Sequence, residues 1–279
     1  MNKLIKVCCL VSTLFLVSGC NKENTAYQGY VDGELRYISA DFPGILENLY
    51  VRRGDNVTVG EKLFTLEKNP EKDSFTEAND RLSEAQAEID RLNKSLEYDK
   101  TKLQRRLDLK TKNFSSQEDV DSAQNEYDIT YQQWLKAKED LLASTAIRNR
   151  LAWTVSRKEV SSNLNGFVFD TYYKPGELIL AGRPVLSLLA PEDVRILFFV
   201  PETEISKIKI KQKVKITCDN CKPITAIVTY ISPRAEYTPP INYSEQLRSK
   251  LIFMIEARSD PETNKTIHLG LPVSVTLHK

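Results

Sequence analysis

The chain has 279 residues, 39 of them Lys or Arg against 38 Asp or Glu, with two histidines and 41% hydrophobic residues. So even a balance carries no electrostatic footprint for nucleic acid. His268 and His278 fall in no metal-ligand or nucleophile spacing, and the apolar content suffices for one or two compact domains.

At the N-terminus, Lys3 and Lys6 precede an apolar run from Val7 to Val17, too short to span a bilayer, and small residues lead up to Cys20. The pattern Val17-Ser-Gly-Cys20 resembles a bacterial lipobox, which implies that residues 1–19 are removed and that Cys20 carries acyl chains holding the protein on a membrane surface. An ordinary signal peptide or a short anchor helix is the alternative. Residues 20–38 then read as a polar tether. Removing the signal takes Lys3 and Lys6 from the 39 basic residues and none of the 38 acids, leaving 37 against 38. Cys8 and Cys9 leave with it, Cys20 is consumed by lipid, and Cys218 and Cys221 remain as a disulfide pair in an exported protein. A redox pair normally opens a helix. This one follows a strand and precedes Pro223, although free thiols or half a metal site stay open.

Residues 39–67 read as short strands with glycine turns, and the design returns at 157–190. Gly44, Gly54 and Gly60 recur as Gly166, Gly176 and Gly182, each 122 residues later, with Ser39, Tyr50, Asp55 and Leu66 mapping to Ser161, Tyr172, Glu177 and Leu188. At about 30 residues neither copy buries a stable core alone, so the two are expected to pack together as one β domain.

Between the copies, residues 68–156 carry heptads. Phe75, Leu82, Ile89, Leu96 and Leu103 form one row and Ala78, Ala85 and Leu92 another. After a break near Asn113–Ser116, Val120, Tyr127, Trp134 and Leu141 form a row beside Ala123, Thr130, Ala137, Ser144 and Leu151. An antiparallel hairpin pairs residues whose numbers add to a constant. Leu103 with Tyr127, Leu96 with Trp134 and Ile89 with Leu141 all give 230, and Leu92 with Ala137 and Ala85 with Ser144 give 229. Unrelated heptads would agree about one time in seven. The fold point is therefore near residue 115. Pro70 suits a first helical turn, and Ser115 with Glu118 reads as a capping box. At roughly 1.5 Å per residue the arm is about 65 Å long.

From 191 to 279 the pattern is strands again: Val194–Val200, Val214–Thr217, Ala226–Ile231, Leu251–Ala257 and Val273–Leu277, with a short helix after Pro201 preferred over the half-buried strand that the Lys-Ile alternation from Lys207 to Lys215 also suggests. Five or six strands in about 85 residues imply a small barrel or sandwich. The fold class expected is α+β, an elongated multidomain chain.

This order of parts resembles the periplasmic adaptor family, also called membrane fusion or HlyD-like secretion proteins. The half-motif from Gly44 through Val51-Arg-Arg-Gly54-Asp55 and Gly60-Glu-Lys-Leu63 to Glu67 is similar to the biotinyl/lipoyl half that these proteins split around a coiled-coil hairpin. Ser232-Pro233-Arg-Ala235-Glu236-Tyr-Thr238-Pro239 resembles a barrel signature of members serving ABC-type exporters. The resemblance implies a tripartite efflux or secretion system in which several copies, six by family habit, join an inner-membrane transporter to a TolC-like outer-membrane channel. It implies no enzyme activity and no cofactor. The short tail after the barrel favours an ABC-type over a proton-driven transporter. In members that dock on such channels the hairpin tip carries Arg, Leu four residues on and Ser seven after that, and Arg105, Leu109 and Ser116 stand at those separations. Arg105 can donate paired hydrogen bonds, Leu109 offers an apolar knob and Ser116 an adaptable hydroxyl. Helix capping alone is the other reading of Ser116.

A lipoyl-like domain also raises the rival of a carrier with a modifiable Lys. The matching place is Glu67-Lys68-Asn69-Pro70, where the chain launches a helix, so Lys68 reads as a solvated charge. Gly54 to Lys62 is one residue too long for a phosphate loop. Where other adaptors have glycine before the Val214 strand, this chain has Lys211-Gln212. Asn21, where many inner-membrane lipoproteins have Asp, leaves the sorting signal ambiguous, while the expected transporter partner favours the inner membrane, facing the periplasm.

Overall fold

A computed structural model describes residues 26–219, 221–237, 251–264 and 268–277. Residues 1–19, expected to be a signal sequence, and with them Cys20 and Asn21, lie outside the described residues. The chain divides into two compact units, one Arg36–Leu188, the other formed by the N-terminal stretch up to Leu35 with the stretch from Leu189 onward.

In the first unit, the two glycine-marked copies build a pair of matching four-stranded sheets. The first copy supplies β2 (Arg36–Ser39), β3 (Gly44–Leu49), β4 (Asn56–Val57) and β5 (Lys62–Leu66); the second supplies β6 (Glu159–Ser161), β7 (Gly166–Thr171), β8 (Leu178–Ile179) and β9 (Pro184–Leu189). One sheet runs β2-β9-β7-β4 and the other β6-β5-β3-β8, so each contains strands from both copies in equivalent places. The hydrogen bonds obey the 122-residue offset. The Gly54 N–H donates to the Val168 carbonyl at 3.0 Å and the Val168 N–H to that of Asp55 at 2.8 Å; in the other copy Gly176 donates to Leu46 at 2.8 Å and Leu46 to Glu177 at 2.9 Å. Gly54 and Gly176 turn at φ 102° and 95°, which side chains other than glycine rarely adopt. The Asp55 carboxylate accepts from the Arg52 N–H at 2.7 Å and that of Glu177 from Lys174 at 3.0 Å, closing both turns alike. Leu46, Leu63, Phe64, Leu66, Val168, Ile179, Val185, Leu186 and Leu188 are fully buried between the sheets. The expectation that one copy needs the other to bury a core is met.

The same unit carries two long helices, α1 (Asn69–Thr111) and α2 (Gln117–Arg157), inserted between β5 and β6.

The second unit is a closed barrel of six antiparallel strands: β1 (Ala26–Gly33), β10 (Val194–Pro201), β13 (Leu251–Ser259), β12 (Ile224–Tyr237), β11 (Lys213–Thr217) and β14 (Pro272–Leu277) in that order around the wall. Its core includes Tyr27, Val31, Ile196, Phe198, Val214, Val228, Ile255 and Val275. The segment after Pro201 forms a 3-10 turn, Glu202–Lys207.

One boundary is corrected. Residues 20–38, read as a tether, fold from residue 26 onward: β1 closes the barrel between β10 and β14, and β2 joins a sheet of the other unit. The strand was hidden because its inward positions are Tyr27, Gly29 and Val31, so glycine stands where an apolar residue would mark the alternation. Gly29 is needed there, since a Cβ would lie 2.2 Å from the Leu197 carbonyl oxygen.

Candidate functional site

The helical arm is the feature that a compact domain would not need, and its seam explains how it holds its shape. Ile89, Leu92 and Ala137 are buried together, with Trp134 and Leu141 packed against them, which brings into one cluster the pairs Ile89 with Leu141, summing to 230, and Leu92 with Ala137, summing to 229. Asp99 and Thr130 continue the two inner rows, and here the apolar seam is interrupted. Both are nearly buried, at 8% and 9% exposure, and the Thr130 hydroxyl donates to the Asp99 carboxylate at 2.7 Å. Their numbers again add to 229. A buried polar layer paired with its opposite number disfavours a slipped pairing, because a slip would part the carboxylate from its donor across the seam. Beside it Lys102 meets Glu126 at 2.5 Å across the two helices.

At the far end, α1 closes in a Schellman turn. Asn113 takes φ 61°, the Asn113 N–H donates to the Lys110 carbonyl at 2.9 Å and the Phe114 N–H reaches that of Leu109 at 2.9 Å. Ser116 then caps α2: its Oγ accepts the Asp119 N–H at 3.1 Å, while its own N–H donates to the Asp119 carboxylate at 3.0 Å. The capping box is thus Ser116 with Asp119, not Ser115 with Glu118. The two overlap in Ser115-Ser-Gln-Glu-Asp119, and the shorter Asp side chain completes the box from the third helical position. Hydrogen bonds from the Ser116 backbone and then from its hydroxyl hold the Asp119 carboxyl below the usual range. Lys110 also contacts Gln117 across the turn. Arg105 is exposed and Leu109 half-buried on α1, and Ser116 is exposed at the start of α2, so all three lie on the final turns of the arm.

At the near end the arm is fastened by charge. Lys158, at the end of α2, is buried. Its Nζ lies 2.6 Å from the Glu71 carboxylate and 2.9 Å from the Glu67 carbonyl oxygen, joining the first turn of α1 to the last of α2. Glu159 is held between Lys62 at 2.7 Å and Lys68 at 3.0 Å, and those two ammonium groups, Lys62 first, keep its carboxyl below the usual range. Arg157 pairs with Asp41, and Phe42 packs edge-on against Trp153 with ring centres 5.5 Å apart. Heptad reading gave no signal for this lattice, which follows from where α1 starts and α2 stops. Lys68 is a member of it, engaged with Glu159 rather than displayed at a hairpin turn.

In the barrel, Cys218 and Cys221 are joined in a disulfide across the turn between β11 and β12. Ser232-Pro233-Arg234 forms a bulge in β12, where the Ser232 hydroxyl donates to the Arg234 carbonyl at 2.8 Å and the pairing with β13 shifts between Ile231 and Ala235. Lys211 takes φ 69°, the conformation glycine would favour at that turn. Among the described residues no cluster of His, Cys, Asp or Glu has metal-holding geometry, and no helix is long and apolar enough to cross a membrane.

No family model matches the chain. It is 23% identical to a UPF0194 membrane protein of Enterobacter sp. (strain 638), covering 88% of this chain and 86% of the relative. A second relative, a UPF0194 membrane protein in Acidithiobacillus ferridurans, is 25% identical over half of this chain and 43% of its own length. Among solved structures, MacA from Actinobacillus actinomycetemcomitans superposes with a TM-score of 0.72 at 16% identity, over 91% of this chain and 78% of that one. The membrane fusion protein Spr0693 from Streptococcus pneumoniae R6 follows with 0.60 at 17% identity, over 91% and 99%. With a split two-sheet body, an antiparallel arm fixed in register and a six-stranded barrel, what the chain has is the fold of the membrane fusion, or periplasmic adaptor, proteins.

Proposed function

We propose that the protein is the periplasmic adaptor of a tripartite efflux or secretion system, joining an inner-membrane transporter to a TolC-like outer-membrane channel, and that it has no catalytic role of its own. The observation that carries this is the arm: two helices of 43 and 41 residues, fastened at the root and capped at the tip, with Arg105, Leu109 and Ser116 on the turns farthest from the body. Such a construction spans distance and offers its end. Arg105 would bind carbonyl or carboxylate groups of the channel and Leu109 an apolar recess, with Ser116 holding the tip in shape. The likeness of Ser232-Pro233-Arg-Ala235-Glu236 to the barrel signature of adaptors that serve ABC-type exporters favours such an exporter as the powered partner. Acyl chains on Cys20 would hold the chain to the inner membrane, and six copies would stand side by side.

The test is Arg105→Ala and Ser116→Arg in the full-length protein. Both are expected to abolish export and cross-linking to the channel while the helical circular dichroism is unchanged. If export and cross-linking survive Arg105→Ala, the docking reading is wrong. Intact mass showing lipid on Cys20 and no adduct on Lys68 excludes the carrier reading.

A further inference from the structure

Of the large apolar side chains left open to solvent, Phe114 is among the most exposed, at 79%, and it stands at the apex of the arm. Its backbone is fixed. The Phe114 N–H is bonded to the Leu109 carbonyl, Asn113 before it holds the left-handed turn, and Ser116 after it starts a capped helix. In a Schellman turn this position commonly folds an apolar side chain back onto the helix residue five places earlier, here Leu109. Phe114 instead keeps most of its ring in water, so the turn displays the phenyl group without needing it.

The charges around it are segregated. The last turns of α1 carry Arg105, Arg106 and Lys110, with Lys112 just past its end, against Asp108 alone, and the first turns of α2 carry Glu118, Asp119 and Asp121. Four bases and four acids cancel, so the tip as a whole has no net attraction for an anionic lipid surface. A protein end with its own separated charges, acidic opposite α1 and basic opposite α2, fits this pattern with an apolar slot between them. Ser116 cannot supply the contact through a free hydroxyl, because its Oγ is already engaged with Asp119.

Resting on the docking reading above, we infer that Phe114 is the apolar anchor of the tip, inserting into a slot between helix ends of the outer-membrane channel. Contacts of this kind concentrate binding energy in one rigid aromatic residue ringed by polar groups. The experiment places the photoreactive analogue p-benzoylphenylalanine at position 114 of the full-length protein in whole cells and identifies the product by mass spectrometry. A product with the outer-membrane channel is expected. A product with phospholipid, one with a second copy of this chain, or none, would overturn the inference. In parallel, Phe114→Ser should lower the channel recovered with the purified protein at least tenfold and Phe114→Leu less than threefold, both with unchanged thermal melting. If Arg105→Ala loses the channel but Phe114→Ser does not, the anchor is wrong and the docking reading stands; if neither loses it, both fall.

Discussion

Replacing Thr130 with valine keeps the side-chain shape and deletes one hydroxyl, which makes the polar layer in the arm a sharp test of how its register is held. The Asp99 carboxylate, 8% exposed, then loses the donor at 2.7 Å. A buried acceptor left without its partner costs about 1–3 kcal/mol, with charged groups at the upper end. For a unit the size of Arg36–Leu188, each kcal/mol lowers the melting temperature by about 2–4 °C, so a fall of about 2–12 °C is expected. Asp99→Leu with Thr130→Val removes both polar partners and should restore or exceed the parent, because an apolar pair extends the seam of Ile89 and Leu92. The coupling from the double-mutant cycle should be about 0.5–3 kcal/mol. Helical circular dichroism on heating gives the stability, and hydrogen exchange in peptides around residues 92–106 and 123–137 shows where it changes. Thr130→Val melting with the parent, or a double variant falling as far as the single one, would refute the reasoning.

Lys158→Met removes the ammonium that joins Glu71 to the Glu67 carbonyl, and should cost about 1–3 kcal/mol, with faster hydrogen exchange confined to residues 67–75 and 150–158. Gly29→Ala pushes a methyl group to 2.2 Å from the Leu197 carbonyl oxygen. It should destabilise the barrel by at least about 1–3 kcal/mol while the helical melting of the arm is unchanged. The carboxyls of Glu159 and Asp119 are both held below their ordinary values of 4.5 and 3.8. Their contribution is therefore complete above those values and is lost as pH falls through the lower, folded ones. Hydrogen exchange corrected for its intrinsic pH dependence should rise at the arm root below about pH 4.5 and at the tip below about pH 3.8, and should be flat between pH 6 and 8 in both places.

How much of this could be read from residues alone depended on whether a periodicity carried it. The arm was legible because Ile89, Leu92, Trp134 and Leu141 repeat a spacing that only one antiparallel pairing satisfies, and the buried pair Asp99–Thr130 obeys the same sum although neither residue is apolar. The doubled body was legible from glycines: Gly54 and Gly176 are required by their backbone angles, so they mark the copies even where side chains differ. Strand β1 was missed because the close approach to Leu197 demands glycine at its central inward position, which erases the alternation. The root lattice of Lys158, Glu71, Glu159, Lys62 and Lys68 joins residues on separate elements and leaves no local pattern. Phe114 was invisible for the opposite reason: one aromatic residue in a short polar turn reads as incidental until its backbone is seen to be fixed and its ring exposed.

The most direct test of the adaptor account is purification of the full-length protein from detergent-solubilised cell envelopes, followed by identification of what travels with it. An inner-membrane transporter, of ABC type, and an outer-membrane channel in the same complex is the expected result, with the channel alone lost from Arg105→Ala. Recovery of the protein with neither membrane partner would contradict the account.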